Sequence, residues 1–476
     1  MQLLLVCVIQ VAFFSGAFVA EQIEAAETAA SGMSYEGEFH AVENYRFLYD
    51  STYLDKHGQR VIEHEIFDQV YALIKQSTRF VLVDMFLFND FKGKQTSSPR
   101  PLAEELTKAL LQKKESSPDC EIILITDPIN TVYGAKPSPY LERLKSAGIR
   151  VVITDLEKLP DSNTLYSALW RTLFSSGQYV PAVMLPNPFD SGEVPLASML
   201  SLLNFKANHR KVVIGVNDDE MSAIVSSANP HDGSGAHENL AVQFSGKAVE
   251  DLLATERTVL HLSGKEDIQF HRDSELIPEN GQTTIRVITE NAIKHAVLSA
   301  IDRSESGDLI DIAMFYFSER DIIKALGQAQ ARGVVIRLLL DPNKDAFGRE
   351  KNGIPNRQVA HELALQGASI RWCLTQGEQC HSKMLLARYK DGTSRVILGS
   401  ANFTRRNIGG FNLETDVELR SSTEHPSIKG LIDYFEHRWL STSDRNTSVA
   451  YSTFSDSGQF KYWQYRLMES SGLSTF

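Results

Sequence analysis

Buried strands and amphipathic helices alternate along most of the chain. Residues 61–74 (VIEHEIFDQVYALI) carry apolar side chains at helical spacing, and RFVLVDMFLF has the composition of a buried strand. A helix around PLAEELTKALLQ, the strand EIILITDP, a helix around YLERLKSAG and the strand IRVVITD follow. This alternation predicts an α/β fold with mixed, largely parallel sheets flanked by helices.

The same order of elements returns after Arg286. Helix AIKHAVLSAI leads into strand LIDIAMFYF, helix DIIKALGQAQARG, strand VVIRLLLDP, helix VAHELALQG and strand SIRWC. The segments VDMFLFND and IAMFYFSE align, as do ITDP and LLDP. An internal repeat on this scale predicts two similar α/β lobes, related by a pseudo-twofold axis, with a site at their interface.

We therefore predict a first lobe over residues 45–265 and a second over residues 266–440, followed by a linker and a C-terminal helix in residues 441–476. The first lobe carries an insert at about residues 156–200 that the second lacks. The insert forms either a lid or lipid-contacting flap, or an extra helix packed on the lobe. Its apolar residues at helical spacing are Leu165, Tyr166, Leu169, Trp170, Leu173 and Phe174.

Residues 1–20 are apolar apart from Gln2, Gln10 and Ser15, and residues 21–44 follow as a flexible, acidic lead-in. The apolar segment fits a cleaved signal peptide, although no Lys or Arg precedes its apolar run. Its length also suits a membrane anchor. The sequence thus predicts a protein that is exported, periplasmic or secreted, or anchored by this segment.

The excess of acidic residues bears on which partners the protein can bind. The chain of 476 residues has 48 Lys and Arg against 60 Asp and Glu, a formal net charge of −12. This balance argues against broad capture of nucleic acid, which is not an expected partner.

Outside the N-terminal segment, Cys120, Cys373 and Cys380 remain; the last two can form a small disulfide loop or stay as buried thiols. No Cys-x-x-Cys or His/Cys cluster is present, so no metal or cofactor is expected.

Candidate chemistry comes from two matching stretches. Of the 13 histidines, only His209 and His381 are followed by Lys two residues later, namely Lys211 and Lys383. Each set continues through a hairpin turn to an asparagine, Asn229 or Asn402. Strand alternation places His and Lys on one face, where an ammonium and an amide can bind an anion while an imidazole approaches it.

Each stretch then has a glutamate at the start of an apolar strand, Glu238 or Glu414. A carboxylate near the imidazole would fix its tautomer and raise its basicity. If the two sets face each other, they suit a phosphodiester handled without metal. One histidine would attack phosphorus and the other would protonate the leaving alkoxide.

These paired motifs resemble the H-x-K-x4-D and G-S-x-N motifs of the phospholipase D superfamily. The resemblance runs from about Tyr45 to Trp439 and is closer in the second copy, with EQCHSKMLL, GSANFTRRN and NLETD. It implies a bilobal α/β fold and a phosphohistidine mechanism, with His209 as the attacking residue and His381 as the acid.

The chain departs from the family pattern at three points. Val216 and Arg388 occupy the positions of the motif aspartate, and Ser226-Ser227 replaces the first Gly-Ser. Asp218 and Asp391 lie nearby but out of register. Because the departures spare His, Lys, Asn and Glu, activity is expected to survive.

Three functions follow as alternatives. The first is a phosphodiesterase acting on phospholipids, by hydrolysis or phosphatidyl transfer, with peripheral membrane contact; the apolar N-terminus and insert favour it. The second is a nuclease of the same superfamily, which the charge of −12 disfavours. The third is a non-catalytic phosphate- or lipid-binding relative, which the retention of both complete residue sets disfavours.

Overall fold

A computed structural model describes residues 34–94, 99–163, 183–187, 192–218, 220–265, 282–472 and 474. The N-terminal apolar segment and the aromatic helix predicted within the insert lie outside these residues. Across the described ranges, no helix is both long enough and apolar enough to cross a bilayer.

The strands are short and mostly buried. In chain order they are β1 (His40–Val42), β2 (Tyr45–Leu54), β3 (Arg60–Glu63), β4 (Phe80–Met85), β5 (Glu121–Thr126), β6 (Arg150–Ile153), β7 (Met184–Pro186), β8 (Glu193–Pro195), β9 (Lys211–Val216), β10 (Met221–Ser226), β11 (Asn239–Ser245), β12 (Thr283–Thr289), β13 (Leu309–Met314), β14 (Val335–Leu340), β15 (Asp345–Ala346), β16 (Arg349–Glu350), β17 (Ser369–Cys373), β18 (Lys383–Arg388), β19 (Thr393–Gly399), β20 (Thr415–Ser422) and β21 (Ser448–Ala450).

Helices connect the strands and cover the sheets. In chain order they are α1 (Ile66–Gln76), α2 (Leu102–Ser116), α3 (Pro139–Ser146), α4 (Leu196–Leu202), α5 (Ala248–Leu262), α6 (Asn291–Asp302), α7 (Arg320–Ala331), α8 (Asn356–Leu365), α9 (Arg405–Ile408), α10 (Pro426–Leu440) and α11 (Gln459–Ser471).

Two large sheets share one strand order over six positions. The eight-stranded sheet runs β3-β2-β11-β10-β9-β4-β5-β6, and the nine-stranded sheet runs β1-β12-β20-β19-β18-β13-β14-β17-β21. The run β11-β10-β9-β4-β5-β6 therefore matches β20-β19-β18-β13-β14-β17. The α/β class is confirmed, and the repeated sequence segments occupy equivalent strands.

The expectation of largely parallel sheets is corrected. Only β4-β5-β6 and β13-β14-β17 pair in parallel, and the other neighbours in both large sheets are antiparallel. Helical crossovers join the parallel strands, whereas β9-β10 and β18-β19 are hairpins with short turns, which only antiparallel strands permit. The segment with the candidate chemistry is therefore the antiparallel part of each sheet.

The two sheets face each other across a shared apolar core. Side chains from both sheets meet there, for example Leu82 and Val212 from one and Met384 and Val417 from the other. A second core lies between the nine-stranded sheet and helices α6, α7 and α8, and a third between the eight-stranded sheet and α1, α2 and α3. The layers thus run helix, sheet, sheet, helix.

Two local expectations change. The helix predicted over residues 61–74 begins only at Ile66, because residues 60–63 pair with β2 after a turn at Gly58, whose φ is 72°. The lead-in assigned to residues 21–44 contains β1, which pairs with β12 at the edge of the nine-stranded sheet. In both places tertiary strand pairing overrides the local pattern.

Candidate active site

The two histidines lie just ahead of β9 and β18, where each repeat pairs with the other. The N–H of His209 donates to the carbonyl of Leu413 at 2.9 Å, and the N–H of His381 donates to the carbonyl of Glu238 at 2.8 Å. Both bonds cross from one repeat to the other. The backbone that carries each imidazole is therefore held by the opposite repeat.

Two buried aspartates hold the residue before each histidine. Asp127 accepts a hydrogen bond from the N–H of Asn208, and Asp341 accepts one from the N–H of Cys380, each at 2.8 Å. Burial raises the pKa of both carboxyl groups to about 7. They are the aspartates of the ITDP and LLDP segments. Sequence reasoning aligned these segments without assigning the aspartates a role, although their repetition was a usable signal.

The lysines turn back toward the histidine backbone. Lys211 Nζ donates to the carbonyl of His209 at 2.5 Å, and Lys383 Nζ donates to the carbonyl of His381 at 2.6 Å. Both lysines are fully buried. Burial lowers the pKa of Lys211 to about 7, against the attraction of nearby carboxylates. Buried ammonium groups with few solvent contacts favour binding of an anion.

A phenylalanine packs on each imidazole. The ring centroid of Phe86 is 4.8 Å from that of His209 and 5.2 Å from the ammonium of the same repeat. The ring centroid of Phe315 is 4.9 Å from that of His381 and 5.1 Å from the corresponding ammonium. These aromatic faces restrict ring rotation and exclude water. They were not predicted, although the aligned VDMFLF and IAMFYF segments contain them.

The asparagines present their amide groups in equivalent orientations. The side-chain oxygen of Asn229 accepts from the N–H of Leu87, and that of Asn402 accepts from the N–H of Tyr316, both at 3.3 Å. Within the described part of the chain, neither NH2 group has a hydrogen-bond acceptor. Two NH2 groups, one from each repeat, are therefore available to the oxygens of a ligand.

Glu414 lies against the histidine of the other repeat. Its carboxylate is 2.9 Å from Nδ1 of His209 and accepts from Ser400 Oγ at 2.5 Å and from the amide of Asn407. Burial opposes its ionisation, but the attraction of His209 and Lys211 outweighs burial, and the pKa of Glu414 is lowered. Burial lowers the pKa of His209 to about 4, against the opposing effect of Glu414. The imidazole is thus neutral and oriented, with Nε2 free to act as a nucleophile.

The expected role of Glu238 is corrected, because its carboxylate is paired with the guanidinium of Arg438 and not with a histidine. Nδ1 of His381 instead lies 3.0 Å from the carbonyl of Ser227 and 3.1 Å from Oδ1 of Asn239. Asn239 therefore holds the position that Glu414 holds in the second repeat. Adjacent side chains of an extended chain point to opposite sides. Asn239 therefore faces His381, and its neighbour Glu238 faces Arg438.

The site groups interact electrostatically. Burial lowers the pKa of His381 well below its usual value, and the charges of Lys383 and Lys211 lower it further. Burial and the charge of Lys211 likewise lower the pKa of Lys383. Groups from both repeats thus act on each other, and a bound anion would relieve this repulsion.

Arg388, which occupies the position of the motif aspartate in the second repeat, lies far from this site. Arg388 ends β18, roughly 16 Å along the strand from Lys383, and donates to Asp311 at 2.5 Å. In the turns, Asp391 pairs with Arg303. These ion pairs lie at the distal end of the sheet, away from the candidate site.

One cluster within the described ranges has the spacing of a metal site: Glu238, Cys373 and Cys380. The two cysteines form a disulfide, which decides between the alternatives left open by the sequence. Arg438 Nη2 lies 3.3 and 3.0 Å from their sulfurs. An oxidised sulfur pair beside a guanidinium does not suit a cation.

Part of the chain matches a known family model, and its fold is similar to that of solved structures. A family model described as cardiolipin synthase, PLD-like domain, matches residues 297–439. The crystal structure of phosphatidylserine synthase from Haemophilus influenzae Rd KW20 aligns over 95% of this chain and 99% of its own length, with a TM-score of 0.56 and 9% identity. At 9% identity the likeness to this structure is one of fold, and the match to the family model is confined to residues 297–439.

Two further solved structures align with lower TM-scores. Polyphosphate kinase from Porphyromonas gingivalis aligns over 90% of this chain and 54% of its own, at a TM-score of 0.46 and 13% identity. Nuc from Salmonella typhimurium, a phospholipase D family member, aligns over 35% of this chain and 97% of its own. The TM-score is 0.28 and the sequence identity 23%. No curated protein matches the chain in sequence. The family model covers most of the second repeat, including Glu414.

Proposed function

We propose that the protein is a phospholipase D-type phosphodiesterase that acts on phospholipids through a phosphohistidine intermediate, by hydrolysis or phosphatidyl transfer. The observation that carries the proposal is the unequal pairing of the two buried histidines. His209 shares a hydrogen bond with the carboxylate of Glu414, whereas His381 contacts only neutral oxygens, one of them on Asn239.

This difference supports separate roles for the two imidazoles. When Nε2 of His209 forms a bond to phosphorus, the ring gains positive charge, which the carboxylate of Glu414 stabilises. Among the described residues, no carboxylate pairs with His381, so an imidazolium there is a stronger acid, suited to protonating a leaving group. The negative charge of a bound phosphodiester favours the protonated form of His381 before the reaction.

The reaction then proceeds in two balanced steps. Nε2 of His209 bonds to phosphorus as the bond from phosphorus to the head-group oxygen breaks, and that oxygen takes the proton from His381. In the second step, His381 removes a proton from water or an alcohol. The resulting oxygen bonds to phosphorus, and the bond to His209 breaks. Lys211, Lys383 and the two asparagine amides bind the non-bridging oxygens throughout.

The proposal is tested with purified protein, mixed phospholipids and ethanol. Free head group together with phosphatidic acid or phosphatidylethanol is the expected product, because water and a short alcohol compete for the same intermediate. Mass spectrometry of the lipid extract measures both. If no lipid product forms while an oligonucleotide is cut, the superfamily nuclease is the correct alternative.

The C-terminal helix α11 supports contact with a lipid surface. Phe460, Trp463 and Leu467 form one stripe along it and are 82%, 66% and 68% exposed. The opposite face is anchored by Glu469, which accepts from Ser318 Oγ and from the N–H of Arg405. Both partners lie within a few residues of the Tyr316–Asn402 contact. An exposed stripe with Trp and Phe beside the site suits the interfacial region of a bilayer.

Changing Phe460, Trp463 and Leu467 together to Ser is expected to weaken binding to phosphatidylcholine vesicles roughly tenfold or more, because three apolar side chains no longer leave water. Vesicle co-sedimentation measures this loss. Turnover of a monomeric short-chain phospholipid should stay unchanged. The matched control is Leu440→Ser, which removes another side chain that is 67% exposed, outside the stripe. Equal vesicle binding by the triple variant and wild type contradicts the assignment.

A further inference from the structure

The second repeat carries an extension beside the site that the first repeat lacks. From Asp127 to Asn130 the chain advances three positions, whereas from Asp341 to Asn356 it advances fifteen. These asparagines are equivalent, since each side-chain oxygen accepts a 2.8 Å hydrogen bond from the backbone that follows β4 or its counterpart β13. The extension, residues 343–355, contains the small hairpin of β15 and β16.

The extension reaches across to the first repeat. At the tip of its hairpin, the carbonyl of Phe347 accepts from the N–H of Lys94 at 2.9 Å. The ring of Phe347 stacks on His237 with centroids 5.7 Å apart and meets His231 edge-on at 5.2 Å. This contact closes the side of the site on which His381 lies.

His237 is a third histidine at the site. It is only 4% exposed, and its Nε2 has no hydrogen-bond partner among the described residues. Its ring centroid lies 5.8 Å from that of His381. A buried polar nitrogen without a hydrogen-bond partner destabilises the folded protein. Such a group is commonly retained where a ligand supplies the missing bond.

Lys351, at the end of the extension, is a third ammonium near the site. Its Nζ lies 4.4 Å from the ring centroid of Tyr316 and 5.7 Å from that of Phe315. It forms no ion pair or side-chain hydrogen bond with any described residue. Burial lowers its pKa to about 8, which leaves it mostly charged at neutral pH. Because Lys383 Nζ is 5.1 Å from the same Phe315 centroid, the two ammonium groups are at most about 11 Å apart.

We propose that Lys351 and His237 form a leaving-group subsite beside His381, which binds a second negatively charged group, a carboxylate or phosphate, on the departing alcohol. The inference rests on the proposed function, in which His381 protonates that alcohol. A head group with such an anion pairs with Lys351 and satisfies His237, whereas a head group without one leaves both unpaired. The preferred substrates are phospholipids with anionic head groups.

Lipid is favoured over nucleic acid as the source of this anion by the surroundings of the subsite. Lys461 Nζ, on α11, lies 3.4 Å from the carbonyl of Asn352, the residue after Lys351. The exposed apolar stripe of α11 therefore adjoins the subsite. A lipid whose acyl chains meet that stripe would have its head group close to Lys351.

The test compares short-chain phospholipids with serine and ethanolamine head groups, which differ only in one carboxylate. Wild type is expected to show a kcat/KM at least tenfold higher for serine. Lys351→Met should lower the value for serine by about tenfold or more and change that for ethanolamine by less than about twofold. Lys351→Arg should retain the preference, and His237→Asn should reduce it. Lys390→Met, at the far end of the β18-β19 hairpin, is the charge-matched control and should leave both values unchanged.

Two results overturn the subsite: no preference for serine in wild type, or equal losses for both head groups in Lys351→Met. Bis(4-nitrophenyl) phosphate, which has no second anion, separates failure of the subsite from failure of the proposed function. If this diester is cleaved equally by wild type and Lys351→Met but not by His209→Ala, the phosphodiesterase stands whatever the head-group result. If only oligonucleotides are cleaved, the lipid subsite is wrong together with the lipid function.

Discussion

Replacing His209 or His381 with alanine should each lower kcat/KM for phospholipid by about 10³-fold or more, because one loss removes the nucleophile and the other the acid. The two variants should differ with bis(4-nitrophenyl) phosphate, whose leaving group needs no proton. His381→Ala should still form the phosphohistidine but hydrolyse it slowly, so the intact protein gains the mass of one phosphoryl ester. His209→Ala should show no such adduct.

His57→Ala is the matched control, since that histidine is exposed in the turn between β2 and β3. Its turnover should equal that of wild type. Substantial turnover in either catalytic variant would refute the shared site. Adduct formation in His209→Ala but not in His381→Ala would reverse the assignment of nucleophile and acid.

Glu414→Gln should lower kcat/KM by roughly 10²–10⁴-fold, while the shape of the buried side chain is kept. Loss of the carboxylate removes the charge that stabilises the phosphorylated ring of His209. It also removes an attraction that supports protonation of Lys211, whose pKa is about 7. The protonated lysine binds the anion, and activity falls as pH rises through this pKa. In the variant that fall should therefore occur at lower pH, as a pH profile of kcat/KM will measure.

Glu238→Gln is the control for Glu414→Gln, because the sequence alone predicts the same role for both glutamates. Because Glu238 is paired with Arg438, its neutralisation leaves a buried guanidinium without its partner and should lower the free energy of unfolding by about 3–5 kcal/mol. Thermal or denaturant unfolding measures this loss. The pH profile of the remaining folded enzyme should match that of wild type. A shift of the profile as large as that in Glu414→Gln would contradict the assignment.

Much of the architecture was predictable from the pattern of residues. The repeated segments occupy matching strands in two sheets because the alternation of buried strands and amphipathic helices is strong and local. The direction of the strands was not predictable in the same way. Apolar runs look alike in parallel and antiparallel strands, and the short turns after β9 and β18 were the signal that favoured antiparallel pairing.

The candidate reacting groups were likewise predictable from sequence, because His209, His381 and their lysines recur at one spacing. Their surroundings were not. Asp127 lies 81 residues before Asn208, and Asp341 lies 39 residues before Cys380, whose backbone N–H groups they bind. Only folding brings these groups together. The extension over residues 343–355 contributes Lys351, and nothing in the local sequence indicates that it reaches the other repeat.

The sequence by itself determined that two His-x-Lys sets exist, that each has an asparagine at matching distance, and that both lie on strands of similar lobes. Only the tertiary structure decided which side chain serves which histidine. Glu414 reaches His209 across the interface, and Asn239 rather than Glu238 reaches His381. The physical reason is strand parity: neighbouring side chains face opposite sides, and hydrogen bonding between the repeats selects the register.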